Sequence, residues 1–121
     1  MTTETSDPKR FLPLTPAVFN VLLALAEGDK HGYAIVQSLS QRTGGQVRMG
    51  TGTLYGIIKR LLADGWIEEL DERPDPSLDD ERRRYYRLTS LGKQVASAEA
   101  ERLAGLVAAA RQQGLLPDSG R

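Results

Sequence analysis

Thr51-Gly52-Thr53-Leu54-Tyr55-Gly56-Ile57-Ile58-Lys59-Arg60-Leu61-Leu62-Ala63-Asp64, closed by Gly65, is the stretch on which the fold turns. At helical spacing Leu54, Ile57, Ile58, Leu61 and Leu62 fall within about 140° of arc, the width of a core-facing stripe. The opposite face holds Gly52, Gly56, Lys59 and Ala63, flanked by Thr53 and Arg60 on one side and Thr51 and Tyr55 on the other. That face has no carboxylate and two glycines, each of which costs an exposed helix roughly 1 kcal/mol relative to alanine. A purely structural surface has no use for them. Missing side chains let a ligand come close to the backbone, and a helix start with unbonded N–H groups suits a phosphate. A helix seated in a DNA major groove uses all of these properties. Lys59 and Arg60 are the candidates for phosphate or guanine contacts, and Thr51, Thr53 and Tyr55 for phosphate hydrogen bonds; which of them reads a base stays open.

Working outward, Thr15-Pro16 predicts a helix start, with a threonine cap and a proline where the missing N–H costs nothing. That helix carries Val18, Phe19, Val21, Leu22 and Leu25 and stops near Gly28. After a break at Asp29-Lys30, a second helix is predicted from His31 to Arg42. Tyr33, Ile35, Val36 and Leu39 recur along it, and Gly44-Gly45 ends it. Gln46-Val47-Arg48-Met49 alternates and suggests a short strand before the decisive helix. Beyond Gly65, Trp66–Leu70 and Arg84–Leu88 read as two strands joined by a polar loop from Asp71, a hairpin of the kind called a wing. Alternation puts Tyr86 and Leu88 on one face of the return strand, Tyr85 and Arg87 on the other. Thr89 caps a long last helix to about Gln113. The expected fold is mainly α with a small β-hairpin, a winged helix-turn-helix plus a C-terminal helix. Its parts are a disordered arm (1–10), the winged unit (11–88), the last helix (89–114) and a tail (115–121).

Charge opposes and then supports this reading. Sixteen basic residues balance sixteen acidic ones, whereas DNA-binding domains are usually basic. Yet no Asp or Glu occurs from Lys30 to Ala63, where Lys30, Arg42, Arg48, Lys59 and Arg60 lie. The local field, not the total, attracts phosphate. In the wing, the tip residues Asp71, Glu72, Asp75, Asp79, Asp80 and Glu81 repel phosphate. The stem residues Arg82, Arg83 and Arg84 are the expected backbone contacts.

The last helix supplies a second interface. Ala96, Ala100, Leu103, Val107, Ala110 and Gly114 are spaced as a heptad seam, with Leu106 beside it. A second copy of the chain is the expected cover, and a two-fold dimer would hold two recognition helices about one DNA turn apart, matching a palindromic site.

These strings are familiar in combination. Gly52-Thr53-Leu54-Tyr55, then Lys59-Arg60-Leu61 and Gly65-Trp66-Ile67, resemble the recognition-helix signature of the PadR family of transcriptional regulators. His31-Gly32-Tyr33, Arg84-Tyr85-Tyr86-Arg87-Leu88-Thr89 and Gly92 agree with it, so the resemblance runs over about residues 14 to 92. It departs at Gly56, where many relatives have proline, and at Trp66, where a smaller aliphatic is common. The resemblance implies a repressor of the short subfamily, dimerised through one C-terminal helix. Some members bind flat aromatic drugs between those helices. Residues 89–121 hold no Phe, Trp or Tyr, so such a pocket is not expected here, and any small-molecule effector is unidentified.

Other chemistries find no support. The chain has no cysteine and one histidine, His31, so neither a thiolate nor a histidine-pair metal site is expected. No phosphate-binding glycine loop, dinucleotide fingerprint or nucleophile elbow is present. No catalytic residue, metal or cofactor is expected. The longest apolar run, Val21–Ala26, is far short of the roughly 20 residues that span a bilayer, and Met1–Arg10 has no apolar signal core, so a cytoplasmic protein without membrane contact is expected. The competing reading is a winged-helix protein–protein interaction module that has lost DNA binding.

Overall fold

The computed structural model describes residues 7–70 and 84–117. Four α-helices and a small antiparallel sheet follow one another as α1 (Pro16–Ala26), β1 (Lys30–His31), α2 (Gly32–Arg42), α3 (Thr51–Asp64), β2 (Ile67–Leu70), β3 (Tyr85–Leu88) and α4 (Ser90–Gln112). Each start has a local cause. The Thr15 hydroxyl accepts from the Val18 amide at 3.2 Å with Pro16 in the first turn. His31 Nδ1 accepts from the Ala34 amide at 3.2 Å. The Thr89 hydroxyl accepts from the Gly92 amide at 3.0 Å and donates to the Gly65 carbonyl at 2.6 Å. Only α3 starts without a side-chain cap, because Gly50 has none to offer; it ends at Gly65, which takes the left-handed conformation at φ 81°.

The core forms where α1 packs on α2, α4 and the central strand β3, with α3 and β2 closing it. Val21, Leu22 and Leu25 of α1, Ile35 of α2, Leu54, Ile58 and Leu61 of α3, and Trp66, Ile67, Tyr86, Leu88 and Val95 are all buried in one cluster. The predicted stripe of α3 is this inner face, with Ile57 and Leu62 half-buried at its edges. β3 is the central strand, ordered β1-β3-β2, and pairs Ile67 with Leu88 and Leu70 with Tyr85 on one side. Tyr86 and Leu88 face the core and Arg87 faces out, as alternation requires.

Four expectations need correction. Gln46–Met49 is not a strand; it is a connection, with the Val47 amide donating to the Thr43 hydroxyl at 3.0 Å and Met49 packed on the core. The third strand is instead Lys30–His31, made of the second residue of the expected break and the first residue of the expected second helix, in register with Tyr86 and Tyr85. Two residues are too few to show alternation, so only the partner strand reveals them. Pro8–Phe11, read as arm apart from Phe11, is a 3-10 turn packed on α4, and Phe11 meets Trp66 edge-to-face at 5.2 Å. Tyr33, read as an apolar helix position, is 63% exposed. The acidic tip of the wing, with Arg82 and Arg83, lies outside the described residues.

Candidate nucleic-acid interface

The outward face of α3 is as the spacing predicts. Thr51, Gly52, Thr53, Tyr55, Gly56, Lys59, Arg60 and Ala63 are all exposed. A Cβ built on Gly52 or on Gly56 meets no atom within 4 Å. Neither glycine is there to let another of the described residues pack closely, and neither has a backbone conformation that demands glycine. Both expose bare helix backbone to the outside.

Gly32 has the opposite role. A Cβ there would lie 2.6 Å from the Tyr55 hydroxyl oxygen, so the phenol of α3 rests on the first turn of α2. This contact joins the two helices of the helix-turn-helix and explains why a glycine stands between His31 and Tyr33. Tyr55 keeps 47% of its surface in solvent. It can contact a ligand while its ring is held from below.

Ion pairing redistributes the cations that looked available in the acid-free stretch. Glu27, just before that stretch, takes both Lys30 at 3.1 Å and Arg42 at 3.2 Å. Hydrogen bonds from Lys30 and Ser38, then the charges of Lys30 and Arg42, hold its carboxyl below the usual range despite some desolvation. Arg84 is bound to Glu69 across the hairpin at 2.6 Å, and Arg87 to Asp29 at 3.1 Å. Arg60 has only a stretched pair with Asp64 at 3.8 Å. Arg48 and Lys59 are exposed and have no hydrogen-bonding or ionic partner among the described residues. Among the described residues, the cations of the acid-free stretch left without a partner are therefore Arg48, just before α3, and Lys59, on its outward face. Arg48 was visible in the sequence as a basic residue but not as a distinguished one, because its neighbours' partners come from outside the stretch. Tyr33 was missed because its helical phase resembles that of core residues; it lies with Thr51 and Tyr55 on a groove between α2 and α3.

The last helix divides in two. Gly92, Val95 and Glu99 are buried against the chain's own domain. A Cβ on Gly92 would lie 2.0 Å from the Trp66 carbonyl oxygen, so only glycine fits there. Glu99 is buried and binds Arg102 through both oxygens, at 2.7 and 2.8 Å, while also accepting from the Leu14 amide at 3.4 Å. The Arg102 hydrogen bonds hold its carboxyl below the usual range against the opposing effect of burial. Beside this buried row runs the seam: Ala96, Leu103 and Ala110 are half-buried, and Ala100, Leu106 and Val107 are exposed. Leu106 is 55% exposed and Leu115, past the helix end, 76%.

A three-helix unit whose third helix presents bare backbone and cations, followed by a hairpin packed on the first helix, is a winged helix-turn-helix. Residues 21–98 match the model of the transcriptional regulator PadR-like family, and the chain belongs to that family. Similar solved structures include a transcriptional regulator from Clostridium thermocellum (25% identity, TM-score 0.65, 78% of this chain and 89% of that one). A PadR family regulator from Clostridium difficile (23%, 0.65, 78% and 94%) shares the fold, as does Bacillus subtilis PadR in complex with operator DNA (21%, 0.58, 69% and 46%). Among sequence relatives, an uncharacterized 37.1 kDa protein in a Streptomyces fradiae transposon is 38% identical over 86 residues. An uncharacterized protein X from Lysinibacillus sphaericus is 40% identical over 73. The chain spans 22% of the first relative's length and 64% of the second's. The protein is thus a PadR-like transcriptional regulator by family and fold. Among the described residues no helix is long and apolar enough to cross a membrane, and no group of His, Cys, Asp and Glu is placed to hold a metal.

Proposed function

We propose that the protein is a cytoplasmic repressor that binds a palindromic operator as a homodimer, inserting α3 in the major groove. The observation that carries this reading is the pair Gly52 and Gly56, whose outward positions meet nothing within 4 Å. Glycine in an exposed helix is costly, and an approaching duplex is the surface that gains from bare backbone. Lys59 and Arg48 supply phosphate contacts, Thr51, Thr53 and Tyr55 hydrogen bonds, and Arg60 joins them when it leaves Asp64. Arg82, Arg83 and Arg84 are assigned to the backbone beside the wing, with Arg84 exchanging Glu69 for phosphate on binding. The exposed seam on α4, from Ala96 and Ala100 through Leu103, Leu106 and Val107 to Ala110, is covered by a second copy. The operator complex of Bacillus subtilis PadR supports DNA as the partner. Seated over a promoter, such a dimer excludes polymerase.

A gel-shift titration against the DNA upstream of the chain's own gene, at two salt concentrations, tests the reading. Binding should weaken steeply with salt, because each neutralised phosphate contributes a slope of about −0.9 in log K against log salt. Salt-insensitive or absent binding favours the protein–protein interaction module instead.

A further inference from the structure

We infer that the apolar groove between the starts of α2 and α3 seats one deoxyribose of the DNA backbone, so that the protein senses sugar chemistry at one nucleotide of each half-site. Tyr33 and Val36 of α2, Thr51, Leu54 and Tyr55 of α3, and Met49 between the helices line it. Among the described residues no charged side chain does. Its volume is about 210 Å³, below the about 300–1,000 Å³ of pockets that enclose a small molecule. It is sized for one part of a larger body. Leu54 is buried, Val36 and Met49 are half-buried, and Tyr33 and Tyr55 are exposed. Two exposed rings beside a half-open apolar groove mark a contact surface, since an aromatic side chain gains most when it is covered. Tyr55 is also held in place, because its phenol rests on Gly32.

Position selects the occupant. Thr51 and Tyr55 belong both to this groove and to the outward face of α3, so the two surfaces are continuous. In a helix-turn-helix the first helix crosses the DNA backbone while the start of the second reaches base edges. A groove between the starts of both helices therefore meets the backbone at the lip of the major groove. There the strand alternates anionic phosphates with uncharged sugars, and only the sugar suits an apolar wall. Arg48, next to Met49 and without a partner among the described residues, supplies the cation for the phosphate beside that sugar. A ribose in the same seat would press its 2′-hydroxyl against apolar side chains, where an unpaired hydroxyl is costly. The seat rests on the DNA-binding reading above.

The test uses the full chain and the operator that the gel-shift titration defines. A single 2′-O-methyl nucleotide is walked along each strand, and affinity is read by fluorescence anisotropy. At one nucleotide of each half-site the parent should lose about tenfold, the effect of one displaced contact. Tyr33→Ala should bind the unmodified operator about tenfold more weakly, and at that nucleotide the 2′-O-methyl group should cost it little more. Its slope against salt should match the parent's, because an uncharged contact releases no counterion. Tyr33→Phe, which keeps the ring, should restore most of the affinity. Tyr33 is largely exposed, so neither variant disturbs the core. Full affinity in Tyr33→Ala overturns the seat and leaves the DNA reading standing. So does a parent that tolerates 2′-O-methyl everywhere, or a loss as large in Tyr33→Ala as in the parent. Tyr33→Phe as weak as Tyr33→Ala gives the contact to the hydroxyl and overturns the apolar seat. Replacement of thymine by deoxyuridine that costs the parent affinity but not Tyr33→Ala gives the groove to a base methyl, and overturns it too. A chain that binds no upstream DNA at either salt concentration removes the DNA reading, and the seat with it.

Discussion

Glycines at four positions have separable causes, and each cause makes its own prediction. At Gly92 a methyl group would collide with the Trp66 carbonyl oxygen, which cannot move without releasing the Thr89 amide it accepts from at 3.0 Å. Gly92→Ala should destabilise the chain by about 2–3 kcal/mol, the range for overpacking, read as a lower urea midpoint. At Gly32 the obstacle is the Tyr55 phenol, a side chain that can swing, so Gly32→Ala should cost less and act chiefly on DNA affinity. At Gly52 and Gly56 nothing is displaced, and substitution by alanine should raise stability by about 0.5–1 kcal/mol. His31 has a fourth kind of local duty, because its imidazole Nδ1 closes the first turn of α2. His31→Ala should cost about 1 kcal/mol and His31→Asn much less, as for other capping residues; equal losses in the two variants would show that the cap contributes nothing. Unfolding midpoints in all these tests must be compared at one protein concentration, since an associating chain is stabilised by its partner.

Among the elements, α4 works as two pieces in sequence. Its first half is fixed to the domain by Gly92, Val95 and Glu99, and its second half projects the exposed part of the seam, Leu106 and Val107. Glu99 ties the piece that carries the seam to the segment before α1, through Arg102 and the Leu14 amide. Its folded-state carboxyl lies below the usual range, so the carboxylate contributes stability that is complete above the unfolded value of about 4.3. That contribution is lost as pH falls through the depressed folded value. Glu99→Gln should lower stability at neutral pH and flatten this acid branch of the unfolding curve; an acid branch as steep as in the parent would contradict the assignment. On the projecting half, Leu106→Glu with Val107→Glu should turn a dimer into a monomer in sedimentation velocity while leaving the helical circular dichroism of the domain intact. α1 and α4 were legible in the sequence because each has a threonine cap, a periodic stripe and a stop signal acting together, and α3, which has no side-chain cap, because its stripe and the Gly65 stop are strong enough alone. Gln46–Met49 misled because alternation over four residues is also what a connection shows when one of its residues, Met49, reaches the core. β1 was illegible because it has no pattern of its own and exists only as the partner of Tyr85 and Tyr86.

Over the whole molecule, net charge says little and the placement of pairs says much. The acid-free stretch has a weaker field than its sequence suggests, because Glu27, outside it, reaches in to neutralise both Lys30 and Arg42. A window of sequence cannot show which carboxylates fold back on it. What remains uncompensated, Arg48 and Lys59, brackets the bare face of α3, so Arg48→Ala should shallow the salt dependence of binding by about one phosphate's slope. The equivalent change at Lys30 should not. If the outward face of α3 is bare in order to admit DNA, the operator affinity of Gly56→Leu, read by fluorescence anisotropy beside its urea midpoint, will show it. Leucine is a far better helix former than glycine and has open space around it here. The predicted result is a more stable protein whose operator affinity falls by about a hundredfold, the effect of a misfitted contact of roughly 3 kcal/mol. A variant that gains stability and binds the operator as tightly as its parent would contradict the account.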